Sequence, residues 1–149
     1  MTDEQNGRME AFQARTPMNK TDPSGIKVVY GDHAVSLFTA LIVEDDSLQR
    51  EVLADLLKGE GLEVIECTTA EAAELVLSTT GIELRALVTD VHLDGEMTGI
   101  ELAEYAKKKY PALNVVVMSG RDTPSLPSDT RFLQKPFRPA ELLEAINCR

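Results

Sequence analysis

The chain reads as an α/β fold, a doubly wound parallel sheet with helices on both faces. Three observations predict it. Strand-like and helix-like segments alternate five times from Ser36 onward, the pattern of consecutive βαβ units. The strand-like segments are continuous apolar runs such as Leu41-Ile42-Val43 and Val115-Val116-Val117, as expected of strands buried on both faces. Helix-start signals follow those runs at short spacing.

Taken in order, residues 1–35 are polar, with turn signals at Thr16-Pro17 and Asp22-Pro23-Ser24-Gly25 and no sustained period. They predict a flexible N-terminal extension, with one helical turn near Met9 to Arg15 and a short strand from Ile26 to Tyr30. The domain proper is expected over 36–149. Leu37 to Val43 predicts the first parallel strand. Leu48, Val52, Leu53, Leu56 and Leu57 then recur at helical spacing, with Asp46 or Ser47 as N-cap and Gly59 or Gly61 as terminator. Leu62 to Glu66 predicts a strand. Thr68 with Glu71 has capping-box spacing ahead of Ala72, Leu75 and Val76. Ala86 to Thr89 predicts the next strand, and Thr98 with Glu101 a second capping box opening a helix that Tyr110-Pro111 closes. Asn114 to Met118 and Arg131 to Gln134 predict the last two strands, and Pro139 sits at a first helical position before Leu142, Leu143 and Ile146. Between Gly120 and Phe132 a stretch with Pro124 and Pro127 is too short for a helix and two connections. A loop or single turn is expected in place of a fourth helix.

Composition narrows the function classes. With 149 residues, 43% hydrophobic and 27% charged, the chain is an ordinary globular one. Its net charge of −10 argues against nucleic acid or an anionic membrane as a direct partner. Cys67 and Cys148 form no CxxC pair, so reduced thiols are expected rather than a disulfide or a zinc site. The N-terminus carries acids where a secretory signal would be basic, and no run reaches the ~18 apolar residues of a membrane span. A cytoplasmic location is expected.

Ligands of open parallel sheets bind beyond the carboxyl ends of the strands. Those ends carry Glu44-Asp45, Asp90, Ser119-Gly120 and Lys135-Pro136-Phe137. Alone, each has a plain reading: acids after a strand cap helices, Ser-Gly makes a turn, and lysine is usually a solvated charge. Together they place three hard oxygen ligands beside an ammonium and a hydroxyl. The acids would repel one another unless a cation joined them, and Mg²⁺ suits such a cluster. The set is organised for phosphoryl transfer, with Asp90 as the nucleophile.

In these residues the chain resembles the receiver domain of bacterial two-component response regulators. The matching segments are "LIVEDD", "LVTDVHLDGEMTGIEL", "VVVMSG" and "FLQKPF", spread over about residues 38–147. The resemblance implies a flavodoxin-like, five-stranded sheet of order 2-1-3-4-5 and a phosphoacceptor supplied by a histidine kinase or histidine phosphotransfer protein. It further implies that Glu44 and Asp45 bind Mg²⁺ with Asp90 and the main-chain carbonyl of His92. Asp90 would be phosphorylated, Ser119 and Lys135 would contact the phosphoryl group, and Ser119 and Phe132 would switch on activation. The Lys135-Pro136 bond is expected to be cis.

Phe132 lacks the hydroxyl of the commoner tyrosine, so a switch would work by packing alone. The shortened fourth element removes a common output and dimer surface, and a monomer is expected over a homodimer. No output domain follows Arg149, which predicts a stand-alone receiver or a piece of a larger protein. His92 and His33 are read as a loop and an extension histidine, and Met97 and Met118 as packing residues. Two other functions share some of these residues. A Mg-dependent phosphatase or phosphotransferase would use an aspartyl phosphate with His92 as acid–base group. A receiver-fold interaction module would work without phosphate.

Overall fold

The computed structural model describes residues 26–29, 39–79, 84–121 and 125–147. Its elements are β1 (Ile26–Val29), β2 (Thr39–Val43), α1 (Ser47–Gly59), β3 (Glu63–Cys67), α2 (Ala70–Thr79), β4 (Leu84–Asp90), α3 (Gly99–Lys109), β5 (Asn114–Ser119), β6 (Thr130–Gln134) and α4 (Pro139–Asn147). The sheet runs β1-β3-β2-β4-β5-β6. Its five parallel strands therefore take the flavodoxin-like order 2-1-3-4-5, as expected.

β1 adds a sixth strand. It pairs antiparallel with β3, Ile26 opposite Cys67 and Val29 opposite Val64. This matches the short strand expected from Ile26 to Tyr30, and within the expected extension it places residues 26–29 in the sheet, where they cover an edge that would otherwise present unpaired backbone groups. The remainder of 1–35, including the helical turn at Met9 to Arg15 and His33, lies outside the described residues.

Alternation along each buried strand divides the core in two. Leu41 and Val43 of β2, Leu87 of β4, and Val115 and Val117 of β5 pack with Ala73, Val76 and Leu77 of α2 and Leu102 and Ala106 of α3. Ala40, Ile42, Val88, Val116 and Met118 point the other way, onto Leu53 and Leu57 of α1 and Leu142 and Ile146 of α4. Apolar side chains on both faces explain why these strands read as unbroken hydrophobic runs. Each fully buried Leu or Val contributes roughly 1.5–3 kcal/mol relative to exposure.

The helix starts are set locally. Asp46, not Ser47, caps α1, its Oδ1 accepting the Gln49 amide at 2.9 Å. Thr98 and Glu101 form the expected capping box of α3. The Thr68–Glu71 box is not formed. Thr69 Oγ1 instead accepts the Ala72 amide at 3.1 Å. The Glu71 carboxylate turns outward to accept the Glu96 and Met97 amides, both at 2.9 Å. Two donors in a neighbouring loop compete successfully for an acceptor that sequence spacing assigned to its own helix. Among the described residues between β5 and β6 there is no helix, in line with the expected short connection.

Candidate functional site

The carboxyl ends of β2, β4, β5 and β6 meet at one end of the sheet. Just past β2, the Glu44 amide still donates to Cys67 O of β3 at 3.1 Å, while Arg50 of α1 donates to Glu44 O at 2.8 Å. The Arg50 guanidinium also pairs with Glu66 at 3.4 Å. These bonds hold the main chain of Glu44 and leave its carboxylate 1% exposed. Asp45 lies one residue on, and its Oδ2 accepts the Asp94 amide at 3.2 Å. That bond ties the loop after β2 to the loop after β4.

Asp90 ends β4. Its Oδ1 accepts the Val91 amide at 2.9 Å, and Thr89 Oγ1 donates to its main-chain oxygen at 2.9 Å. Oxygens of Glu44, Asp45 and Asp90 all lie within 4.8 Å of one another. Lys135, just past β6, enters the same space. Its ammonium donates to Glu44 Oε1 at 2.9 Å, Asp90 Oδ2 at 3.1 Å and Gln49 Oε1 at 2.7 Å. The Lys135 amide donates to Ser119 O at 2.8 Å, and the Lys135-Pro136 bond is cis.

Three carboxylates against one ammonium leave the cluster short of positive charge. Burial pushes the Glu44 carboxyl above its ordinary value, and the Asp90 charge adds to the rise, although hydrogen bonds from Lys135 and the Asp46 amide oppose it. For Lys135, burial works to lower the value. Hydrogen bonds to Glu44 and Asp90, with their charges, outweigh it and hold the ammonium above the ordinary lysine value. The donor set fits a small hard cation: clustered carboxylate oxygens, two of them on the partly exposed Asp45 and Asp90, with negative charge to spare.

Of the other expected residues, Ser119 adjoins the cluster through its main-chain oxygen, which accepts the Lys135 amide. Ser119, at the end of β5, is 1% exposed, and its Oγ accepts the Arg121 amide at 3.1 Å. Phe132 on β6 is partly buried and packs against the core on the α2 and α3 side. The His92 side chain is exposed. Met118 is fully buried and Met97 packs at the core margin. A cleft of about 720 Å³ lies at the opposite end of the sheet, lined in part by Arg85, Lys107, Asn114 and Thr130, and shares no residue with the acidic cluster.

Four residues at this end carried no site signal in the sequence. Gln49 and Arg50 match no motif in the sequence, and Glu71 is expected only as a capping-box member. Gly99 lies in the segment Gly95-Glu96-Met97-Thr98-Gly99, whose two glycines match no phosphate-loop spacing, yet a Cβ there would lie 1.8 Å from the Asp90 main-chain oxygen. Only the approach of α3 to the end of β4 reveals that constraint. Gly95 is different in kind: its φ of +99° is a conformation glycine adopts without strain.

A doubly wound parallel sheet with clustered acids and one lysine at its carboxyl edge defines a flavodoxin-like acidic-pocket module. The sequence profile described as "Response regulator receiver domain" matches residues 40–147, and the chain belongs to that family. It is 33% identical over 90 residues to a putative NtrX-like response regulator of Rickettsia bellii, covering 60% of this chain and 18% of that one. It is 31% identical over 111 residues to the transcriptional regulatory protein FixJ of Azorhizobium caulinodans, covering 70% of this chain and 51% of that one. The chain thus spans between about a fifth and a half of these relatives' lengths. Among solved structures, a CheY-like receiver domain protein of Methanospirillum hungatei superposes with a TM-score of 0.67 at 28% identity, covering 75% of this chain and 92% of that one. No helix among the described residues is long and apolar enough to cross a membrane.

Proposed function

We propose that this receiver domain accepts a phosphoryl group on Asp90 from a phosphohistidine of a histidine kinase or histidine phosphotransfer protein, and that the phosphorylated form changes its hold on a protein partner. The observation that carries the reading is the Lys135 ammonium, which bridges Glu44 Oε1 and Asp90 Oδ2 inside the acidic triad. A lysine so placed holds the carboxylates together before transfer and offers positive charge to the phosphoryl oxygens during it.

In the transfer an Asp90 carboxylate oxygen forms a bond to phosphorus. The bond from phosphorus to the donor nitrogen breaks, and the electron pair stays on the imidazole. Asp90 is suited to attack because the Val91 amide and the Lys135 ammonium fix its two oxygens in direction. Ser119 Oγ already accepts a hydrogen bond from the Arg121 amide, so its own hydroxyl proton is available to donate to a phosphoryl oxygen. Mg²⁺, held by Glu44, Asp45, Asp90 and the main-chain carbonyl of His92, would neutralise the charge that collects on the transferring group.

Phe132 has no hydroxyl to trade, so its part in any switch is a change of packing. Leu48 and Val52 of α1, which flank Gln49 in sequence, are 68% and 60% exposed. Apolar side chains in water at that place favour a protein donor over a small phosphorylated metabolite. The chain catalyses only its own phosphorylation and dephosphorylation.

The test is incubation with acetyl phosphate and Mg²⁺, comparing wild type with Asp90→Asn by intact mass. Addition of one phosphoryl group to the wild type alone is expected. Equal labelling of both proteins, or of neither, overturns the reading.

A further inference from the structure

The Lys135 ammonium has three protons, and the chain supplies three acceptors: Glu44 Oε1, Asp90 Oδ2 and Gln49 Oε1. The shortest of the three contacts, 2.7 Å, is to Gln49. Two of the acceptors, Glu44 and Asp90, belong to the acidic triad. Gln49 lies outside it and is neutral. A cation drawn to the triad competes with Lys135 for the Glu44 and Asp90 oxygens and repels the ammonium, but it has no claim on the Gln49 carbonyl. A phosphoryl group on Asp90 likewise turns its carboxylate into an acyl phosphate, a mixed anhydride that no longer offers Lys135 a charged carboxylate oxygen.

We propose that Gln49 is a positioning residue that keeps the Lys135 ammonium at the phosphoacceptor site when Glu44 and Asp90 are engaged elsewhere. This rests on the phosphoacceptor reading above for its consequence, though not for its geometry. Gln49 is placed for the task by the start of α1. Its amide is bonded to the Asp46 cap at 2.9 Å, which fixes the first helical turn and carries the side chain toward the end of β6.

The hold predicts a defined pattern. Lys135 should keep one bond, to Gln49, as the other two are exchanged for contacts with phosphoryl oxygens. Without Gln49 the long, flexible lysine side chain regains its rotamer freedom, and fewer encounters find it in place. With acetyl phosphate the chemistry itself is unchanged: an Asp90 oxygen bonds to phosphorus, the phosphorus–oxygen bond to the acetyl group breaks, and acetate leaves with the electron pair.

The experiment compares wild type, Gln49→Met and Gln49→Glu. Methionine keeps length and helix propensity but loses the acceptor, and glutamate keeps the acceptor. Two quantities are read: the lysine-ammonium ¹H–¹⁵N signal of Lys135, assigned by its loss in Lys135→Arg, with and without Mg²⁺, and the rate of labelling by acetyl phosphate at saturating Mg²⁺. In Gln49→Met the ammonium signal should be lost to rapid solvent exchange once Mg²⁺ is added, and labelling should slow by about tenfold, as for loss of one hydrogen bond to a charged group. Gln49→Glu should retain the signal and label within about threefold of wild type. A Lys135 signal in Gln49→Met as protected as in wild type with Mg²⁺ present overturns the proposal, as does a Gln49→Glu variant that behaves like the methionine variant. Loss of the signal in Gln49→Met, together with equal labelling of wild type and Asp90→Asn, would sink the phosphoacceptor reading and leave the hold on Lys135 standing.

Discussion

Gly99 packs so closely against the end of β4 that a Cβ on it would sit 1.8 Å from the main-chain oxygen of Asp90 and 2.7 Å from its carbonyl carbon. The Gly99 amide meanwhile donates to Val91 O at 2.9 Å. Helix α3 therefore begins directly on the backbone that presents Asp90. No side-chain adjustment can make room, since the clashing atoms are main chain. Gly99→Ala is expected to destabilise the domain by about 2–4 kcal/mol and to lower the melting temperature by roughly 8 °C or more. Thermal unfolding followed by circular dichroism checks this; a shift under about 2 °C would show that α3 can move off β4 at little cost.

The crowding of carboxylates at the site has a stability cost of its own. Glu44 is buried, and burial is the main cause that lifts its carboxyl above the ordinary value. A raised carboxyl binds protons more tightly in the folded state, so stability falls as pH rises from the unfolded value through the folded one. Glu44→Gln removes the charge and keeps an acceptor for Lys135. It should raise the metal-free melting temperature by roughly 2–4 °C at neutral pH and weaken Mg²⁺ binding at least about tenfold. Asp45→Asn should weaken the metal in the same way. Calorimetric titration with Mg²⁺ and melting in chelator measure both quantities. A lower metal-free melting temperature in Glu44→Gln would mean that its charge is a net stabiliser through Lys135.

Glu71 gives the loop after β4 an acid-sensitive anchor. The Met97 amide is the largest cause lowering its carboxyl below the ordinary 4.5, followed by its own amide and that of Glu96. A lowered carboxyl contributes stability that is present above the unfolded value and lost as pH falls through the folded one. The amides of Glu96 and Met97 should therefore exchange with deuterium more readily, relative to the intrinsic rate, as pH drops below 4.5. In Glu71→Ala they should be equally open at neutral pH and at acid pH. Protection that survives in Glu71→Ala would assign the loop's order to other contacts.

Lys135→Ala deletes a side chain that is aimed at Glu44, Asp90 and Gln49 rather than into either half of the core. The far-ultraviolet circular dichroism should match wild type, while labelling by acetyl phosphate drops about a hundredfold. Labelling at the wild-type rate would remove Lys135 from the transfer.

Exposed Leu48 and Val52 on α1 should matter to a protein donor and not to a small one. The double variant Leu48→Gln with Val52→Gln is expected to slow transfer at least about tenfold from any phosphohistidine donor protein that labels the wild type. Labelling by acetyl phosphate should stay within about twofold. Equal slowing with both donors would place these residues in the chemistry rather than in docking.

The sequence by itself determined the alternating fold, the five parallel strands, the start of α3 at its Thr98–Glu101 box and, among the described residues, the connection without a helix before β6. Those follow from periodicity and local backbone chemistry, which act over a few residues. It also marked Glu44, Asp45, Asp90, Ser119 and Lys135 as residues at strand ends, because a strand end shows itself where an apolar run stops. Tertiary structure alone decided three other matters. Residues 26–29 join the sheet beside β3 because the β3 edge supplies backbone partners from about forty residues away in the chain. Glu71 leaves its helix for the Glu96 and Met97 amides because two donors there outbid one at home. Gln49 meets Lys135 across a separation of 86 residues, and no local pattern marks either residue for the other. Contacts between distant segments depend on how helices settle on the sheet, and that packing is a property of the whole chain.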